Sequence, residues 1–176
     1  MRRTLTLAVA TLLAVSLLAI PVSAKGNKAP AGPTIAQITE MPGFSTLNFA
    51  LNATGLFDVL DGDGQFTVFA PTDEAFAALE KANPGITAYL VANPEVLTDV
   101  LLYHVTDGRR WSNSVINRNN SKSIEMLNGG YVWANPTVTL TDSDSLGIGS
   151  PDASIASPNI NASNGVVHVI TQVLIP

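Results

Sequence analysis

Residues 66–79 read FTVFAPTDEAFAAL, a strand, a stop and a capped helix in one short stretch. Phe66, Thr67, Val68 and Phe69 are aromatic or β-branched, types that suit a pleated and largely buried surface. Pro71 removes a backbone donor and is expected to end the ladder. Thr72 stands where a hydroxyl can cap the following helix, and Asp73 and Glu74 place negative charge at the positive end of its dipole. Ala75, Phe76, Leu79 and Ala82 then recur at helical spacing and give that helix one apolar face. A strand that passes so directly into a helix requires both to pack on one core. Capping and dipole effects account for the two acids without a catalytic role.

Working outward towards the N-terminus, Arg2 and Arg3 precede an apolar run from Leu5 to Ile20, followed by Val22-Ser23-Ala24. This is the pattern of a bacterial-type secretory signal, with residues 1–24 as the signal peptide and cleavage near Ala24. An uncleaved signal helix anchoring the protein in the envelope is the alternative. Residues 25–33 (KGNKAPAGP) read as a flexible leader, and 34–176 as one domain. Losing Arg2 and Arg3 leaves seven basic against fourteen acidic residues, a net charge of −7. Such a balance argues against nucleic acid, and against charge-driven binding of the mature form to anionic membrane. Cysteine is absent, which excludes disulfides, thiolate metal sites and a cysteine nucleophile. Stability must come from an apolar core, and about 150 residues suffice for one.

Within the domain, Thr34 can cap a short helix stopped by Pro42-Gly43, and Phe44, Leu47 and Leu51 recur at helical spacing. Gly55 interrupts before Leu56, Val59 and Leu60 resume the pattern. Asp61-Gly62-Asp63-Gly64 alternates like a calcium loop, but with Gly64 as the turn glycine the first ligand position is Val59 and the bidentate position Ala70. A tight turn into the Phe66 strand is the better reading. Further on, Asn83-Pro84-Gly85 turns the chain and Asn93-Pro94 opens a helix expected to run to about Val105, with Val96, Leu97, Val100, Leu101 and His104 on one face. Residues 109–123 are polar, with Trp111 and Val115-Ile116 as anchors.

The final third changes to short strands separated by turns. Ile124 to Leu127 and Tyr131 to Ala134 flank Asn128-Gly129-Gly130, a hairpin signal that suggests a primed turn. Further strands are expected at Val138 to Leu140, at Leu146 to Ile148 and in VVHVI after Asn164-Gly165. Helices first and strands later indicate segregated α+β packing.

Four features therefore occur in order: FTVFAPTDEAFAAL, LLYHV at 101–105, the hairpin-rich third, and NGVVHVITQVLIP at 164–176. Together they resemble a fasciclin domain over Thr34 to Pro176. The first block is similar to the family's first signature, Tyr103-His104 to its central Tyr-His pair, and the last block to its second signature. The resemblance implies an α+β wedge of β-strands with helices packed on one side, of the kind found in secreted and cell-surface adhesion or matrix proteins. It makes Tyr103 and His104 candidate partner-binding residues. Trp111 beside Arg109 and Arg110 offers a stacking and charge contact, the alternative being a Trp packed into the core.

His104 and His168 are the only histidines, so any imidazole chemistry must use them. Each lies among apolar neighbours and reads as a hydrogen-bonded core histidine. Because they fall in the resembling blocks with Thr72 and Asp73, these four are expected to form one buried polar network. A serine hydrolase is the enzyme alternative, but there is no G-x-S-x-G elbow. Two separated histidines without H-E-x-x-H spacing make no zinc site, and no phosphate-cradling glycine loop is present. The expectation is a non-enzymatic module without a cofactor, secreted or at the cell surface, whose partner is an extracellular or cell-surface protein or polysaccharide.

Overall fold

The computed structural model describes residues 32–117, 119–143, 147 and 152–176. The expected signal peptide, nearly all of the expected leader, and all but Gly147 of the strand expected at Leu146 to Ile148 lie outside the described residues. Helices α1 (Ile35–Thr39), α2 (Ser45–Thr54) and α3 (Leu56–Asp61) precede strand β1 (Phe66–Pro71). Helices α4 (Asp73–Ala82), α5 (Ile86–Ala92) and α6 (Pro94–Leu102) follow, then β2 (Val105–Asp107) and α7 (Ser112–Val115). The rest is strand: β3 (Lys122–Glu125), β4 (Tyr131–Ala134), β5 (Thr139–Thr141), β6 (Ala153–Ala162) and β7 (Gly165–Ile170).

Local chemistry sets most of these boundaries. Thr34 and Gln37 close a reciprocal capping box on α1. Gly55, at φ 72°, ends α2 in the left-handed conformation that glycine adopts without steric cost. β1 ends at Pro71, and Thr72 Oγ1 then accepts from the Ala75 N–H to cap α4. Helix α6 stops at Leu102, earlier than its apolar spacing suggested, because Val105 leaves the helix to pair with Val68. Helix α5 gave no sequence signal of its own. The Glu80 carboxylate accepts from the Gly85 and Thr87 N–H groups at 2.7 and 3.0 Å and holds its start in place.

The strands form one seven-stranded sheet in the order β2-β1-β7-β6-β5-β4-β3. All neighbours are antiparallel except β1 and β7, whose parallel register sets Phe69 opposite His168. At the far ends the Leu127 N–H donates to the Val105 carbonyl at 2.8 Å and Thr106 Oγ1 to the Glu125 carbonyl at 2.7 Å. The sheet thus curls until its outer strands touch, giving an α+β wedge close to a barrel, with the helices on one side.

Two apolar clusters result. Val68, Ala70 and Val167 face the helices and pack with Ile35, Leu47, Leu51, Val100 and Leu101. Phe69 and Ile170 face the barrel interior with Tyr103, Ile124, Val132, Leu140 and Leu174. The central pair β1 and β7 is therefore covered on both faces, which explains their mostly apolar, almost continuously buried runs. Each fully buried large side chain contributes about 1.5–3 kcal/mol.

Candidate functional site

The chain leaves α6 through Tyr103 and His104, and both side chains turn inward. Tyr103 is 0% exposed; its hydroxyl donates to the Tyr131 carbonyl at 2.6 Å and accepts from the Ser143 N–H at 3.2 Å. Burial raises its pKa. The ring lies so close to Gly130 that a Cβ there would stand 2.7 Å from a ring carbon. His104 is 2% exposed, with Nδ1 2.7 Å from the Val100 carbonyl. A carbonyl only accepts, so Nδ1 carries the proton and Nε2 is free to accept from the Leu174 N–H at 2.9 Å. Desolvation lowers the His104 pKa to about 4, and the imidazole is neutral at physiological pH. Both of these candidate partner-binding residues are buried here and act as internal fasteners, joining α6 to the β4 start and the C-terminal segment.

His168 does related work on the other strand. Its Nε2–H donates to the Arg110 carbonyl at 2.8 Å, Nδ1 accepts from the Asn159 N–H at 3.2 Å, and the ring stacks on Phe69 at 5.5 Å. Burial lowers its pKa as well. The corner that follows β2 is fixed from several sides. Arg109 donates to Gln65 Oε1, Asn161 Oδ1 and the carbonyls of Ala162 and Ser163 at 2.6–3.0 Å. Asn159, at φ 64° in the bulged part of β6, bonds Ser112 through both side-chain atoms. This bulge re-aims one residue to hold the start of α7. Trp111 is 41% exposed and is not the core anchor that a lone Trp usually is.

Thr72 and Asp73 take separate roles. Thr72 caps α4, while the Asp73 carboxylate accepts from the Ser45 and Thr46 N–H groups at 3.2 and 2.8 Å and caps α2. The Thr46 and Ser45 hydrogen bonds hold the Asp73 carboxyl below its usual pKa. Among the described residues no hydrogen bond joins Thr72 or Asp73 to either histidine, and each of the four expected network residues bonds its own local partners. Phe69 links the two histidines: its N–H donates to the His104 carbonyl at 2.8 Å while its ring stacks on His168.

Sequence reasoning treated Asn164 only as a turn residue. It is buried: Oδ1 accepts from the Ile35 N–H at 2.9 Å, and Nδ2 donates to the carbonyls of Leu60 and Gly62 at 2.6 and 2.8 Å. One side chain thus ties α1 and α3 to the β6–β7 turn. Nothing in the local sequence marks these partners, which are more than a hundred residues away in the chain.

What faces outward at α7 is a recess of mixed polar and apolar lining. One cleft of about 440 Å³ is lined by Asn113, Ser114, Ile116, Asn117 and Lys122. A second, of about 210 Å³, shares Asn113 and Ile116 and reaches Ser112, Pro136 and Val138. Among the described residues no group of three His, Asp or Glu side chains is placed to hold a metal, and no helix is long and apolar enough to cross a membrane.

A family model for the Fasciclin domain matches residues 42–176. This chain belongs to the fasciclin domain family. An uncharacterised protein of Synechocystis, sll1735, is 37% identical over 75% of this chain and 89% of its own length. The immunogenic protein MPB70 of Mycobacterium bovis is 32% identical over 82% of this chain and 69% of its own. The pig transforming growth factor-beta-induced protein ig-h3 is 34% identical over 81% of this chain, which spans only 19% of that longer protein. Among solved structures, a FAS1 domain pair from the insect cell adhesion molecule fasciclin I matches with a TM-score of 0.67 at 15% identity, over 82% of this chain and 51% of that one.

Proposed function

We propose that this protein is a secreted or cell-surface interaction module that attaches to an extracellular protein or polysaccharide, with no catalytic step and no cofactor. Residues 1–24 serve as a signal peptide cleaved near Ala24, 25–33 as a spacer, and 34–176 as the binding domain. The observation that carries the reading is membership of the fasciclin family. The matching FAS1 domain pair comes from an insect cell adhesion molecule. The state of the histidines agrees: each imidazole has both nitrogens committed to backbone partners, leaving neither as a general base. With Tyr103 and His104 buried, contact with a partner passes to Trp111 and the α7 surface.

The test combines two measurements on the exported protein. Its mass separates a freely released module, cut after Ala24, from a signal-anchored envelope protein. Binding to its own cells and to their extracellular polysaccharide is then compared between wild type and Trp111→Ala, with folding checked by circular dichroism. Saturable binding is the expected result. Turnover of generic ester substrates in place of binding would favour a hydrolase instead.

A further inference from the structure

The α7 surface differs in charge from the rest of the molecule. The mature chain carries fourteen acids against seven bases, yet the stretch 109–122 (RRWSNSVINRNNSK) contains four bases and no acid. Among the described residues Arg109, Arg110 and Lys122 donate only to uncharged acceptors. Arg109 is held by amide and backbone oxygens, Arg110 Nε donates to the Asp107 backbone carbonyl at 3.2 Å, and Lys122 Nζ donates to the Ser114 carbonyl. None of these three donates to a carboxylate among the described residues, and Lys122 brings a positive charge into the wall of the 440 Å³ cleft. That volume lies within the range of about 300–1,000 Å³ usual for ligand clefts.

The lining selects among anionic partners. Asn113, Ser114 and Asn117 supply amide and hydroxyl groups that both donate and accept, as ring hydroxyls require. A protein-docking patch would instead centre on a desolvated apolar cluster, whereas among the described residues Ile116 shares this wall with four polar side chains. Trp111, directly before α7, exposes a flat indole of the sort that stacks on a sugar face. We propose that the α7 cleft binds an acidic, uronate-type polysaccharide. Lys122 meets a carboxylate, the Asn and Ser side chains meet ring hydroxyls, and Trp111 packs on a sugar face. This rests on the reading of the chain as an extracellular interaction module and names the partner class.

The experiment is isothermal titration of the purified protein with polygalacturonate, using its fully methyl-esterified form as the uncharged control and poly-glutamate as an acidic peptide. Wild type is expected to bind polygalacturonate, more weakly as salt is raised because exposed charges are screened beyond about 10 Å at 0.1 M. The ester is expected to bind more weakly still. Lys122→Gln and Trp111→Ala, both confirmed as folded by cooperative thermal unfolding, should each weaken binding about tenfold, the loss of one charge-assisted or stacking contact. Equal affinity of wild type and both variants would overturn the proposal. So would equal binding of poly-glutamate, insensitive to Trp111→Ala, which would point to an acidic protein. Wild type that attaches to cells but ignores polygalacturonate refutes the cleft assignment alone. Protein that attaches to neither refutes the interaction module with it.

Discussion

The Leu174 N–H donates to His104 Nε2 at 2.9 Å, so the last core residues are fastened by an acceptor that exists only while the imidazole is neutral. Protonation would set an N–H against an N–H at a fully buried site. The folded-state pKa is lowered from 6.5 to about 4, so between these values the unfolded chain binds more protons than the folded one. Stability is complete above about pH 6.5 and falls as the pH drops towards 4. The loss attributable to His104 is about 3 kcal/mol. His168, lowered in the same direction, adds to it. Urea denaturation across pH 7 to 4 measures this slope, and His104→Gln should be less stable at pH 7 but flatter with pH. A wild-type curve without slope in this window would contradict the assignment.

Asp73 caps α2 through the Ser45 and Thr46 N–H groups and has no bond to a histidine among the described residues. Asp73→Ala should therefore cost about 1 kcal/mol, the usual effect of losing a cap. It should leave the titration of both histidines where it is. Two-dimensional NMR of the imidazole resonances reads both effects in one sample, and a moved His104 or His168 titration would restore the single network that the sequence suggested.

Asn164 and Gly165 fix the turn between β6 and β7 against the helices. Asn164→Ala leaves the Ile35 N–H and the Leu60 carbonyl without their buried partner, and orphaning such groups costs about 1–3 kcal/mol each. Gly165→Ala is the harsher change, because its Cβ would stand 2.1 Å from the Phe66 carbonyl oxygen, and backbone there cannot move without breaking the β1–β7 pairing. Chemical denaturation should show Asn164→Ala folded but weakened and Gly165→Ala largely unfolded at 37 °C. A Gly165→Ala protein of wild-type stability would mean that β1 and β7 pair differently.

How much of this was legible depended on the range of the interaction. The Thr72 cap, the Pro71 stop and the Gly55 break are local, and each was readable from its own few residues. The burial of His104 and His168 followed from their apolar neighbours. Strand β6 was not readable: its two register shifts break the alternation, and Ser157, Pro158 and Asn159 read as loop. The partners of the polar core were equally hidden, since Asp73 caps a helix that precedes it by some thirty residues and Asn164 reaches back to α1 and α3. The hairpin at 128–130 was foreseen, but its turn was not of the primed kind. Only Gly129 has positive φ, at 85°, and its N–H closes a turn on the Met126 carbonyl. A common turn followed by a left-handed glycine serves there in place of two left-handed residues.

The same device recurs between β4 and β5 with the wrong residue in it. The Val138 N–H closes a turn on the Asn135 carbonyl at 3.0 Å, and Val138 itself sits at φ 67°, where a β-branched side chain crowds the backbone. Residues held in such conformations cost about 1–3 kcal/mol. Val138 is exposed, so removing its side chain forfeits little burial. Val138→Gly should therefore stabilise the fold by about 1 kcal/mol despite the added freedom of glycine in the unfolded chain. Val138→Ala should gain less, since alanine keeps the Cβ that clashes. Because Val138 also lines the smaller recess at α7, the glycine variant separates stability from binding: a stabler protein whose polygalacturonate affinity is unchanged would place the contact at Lys122 and Trp111 and not at this turn. A glycine variant less stable than wild type would show that Val138 packs against β6, whose Ile155 N–H donates to its carbonyl, more firmly than its exposure implies.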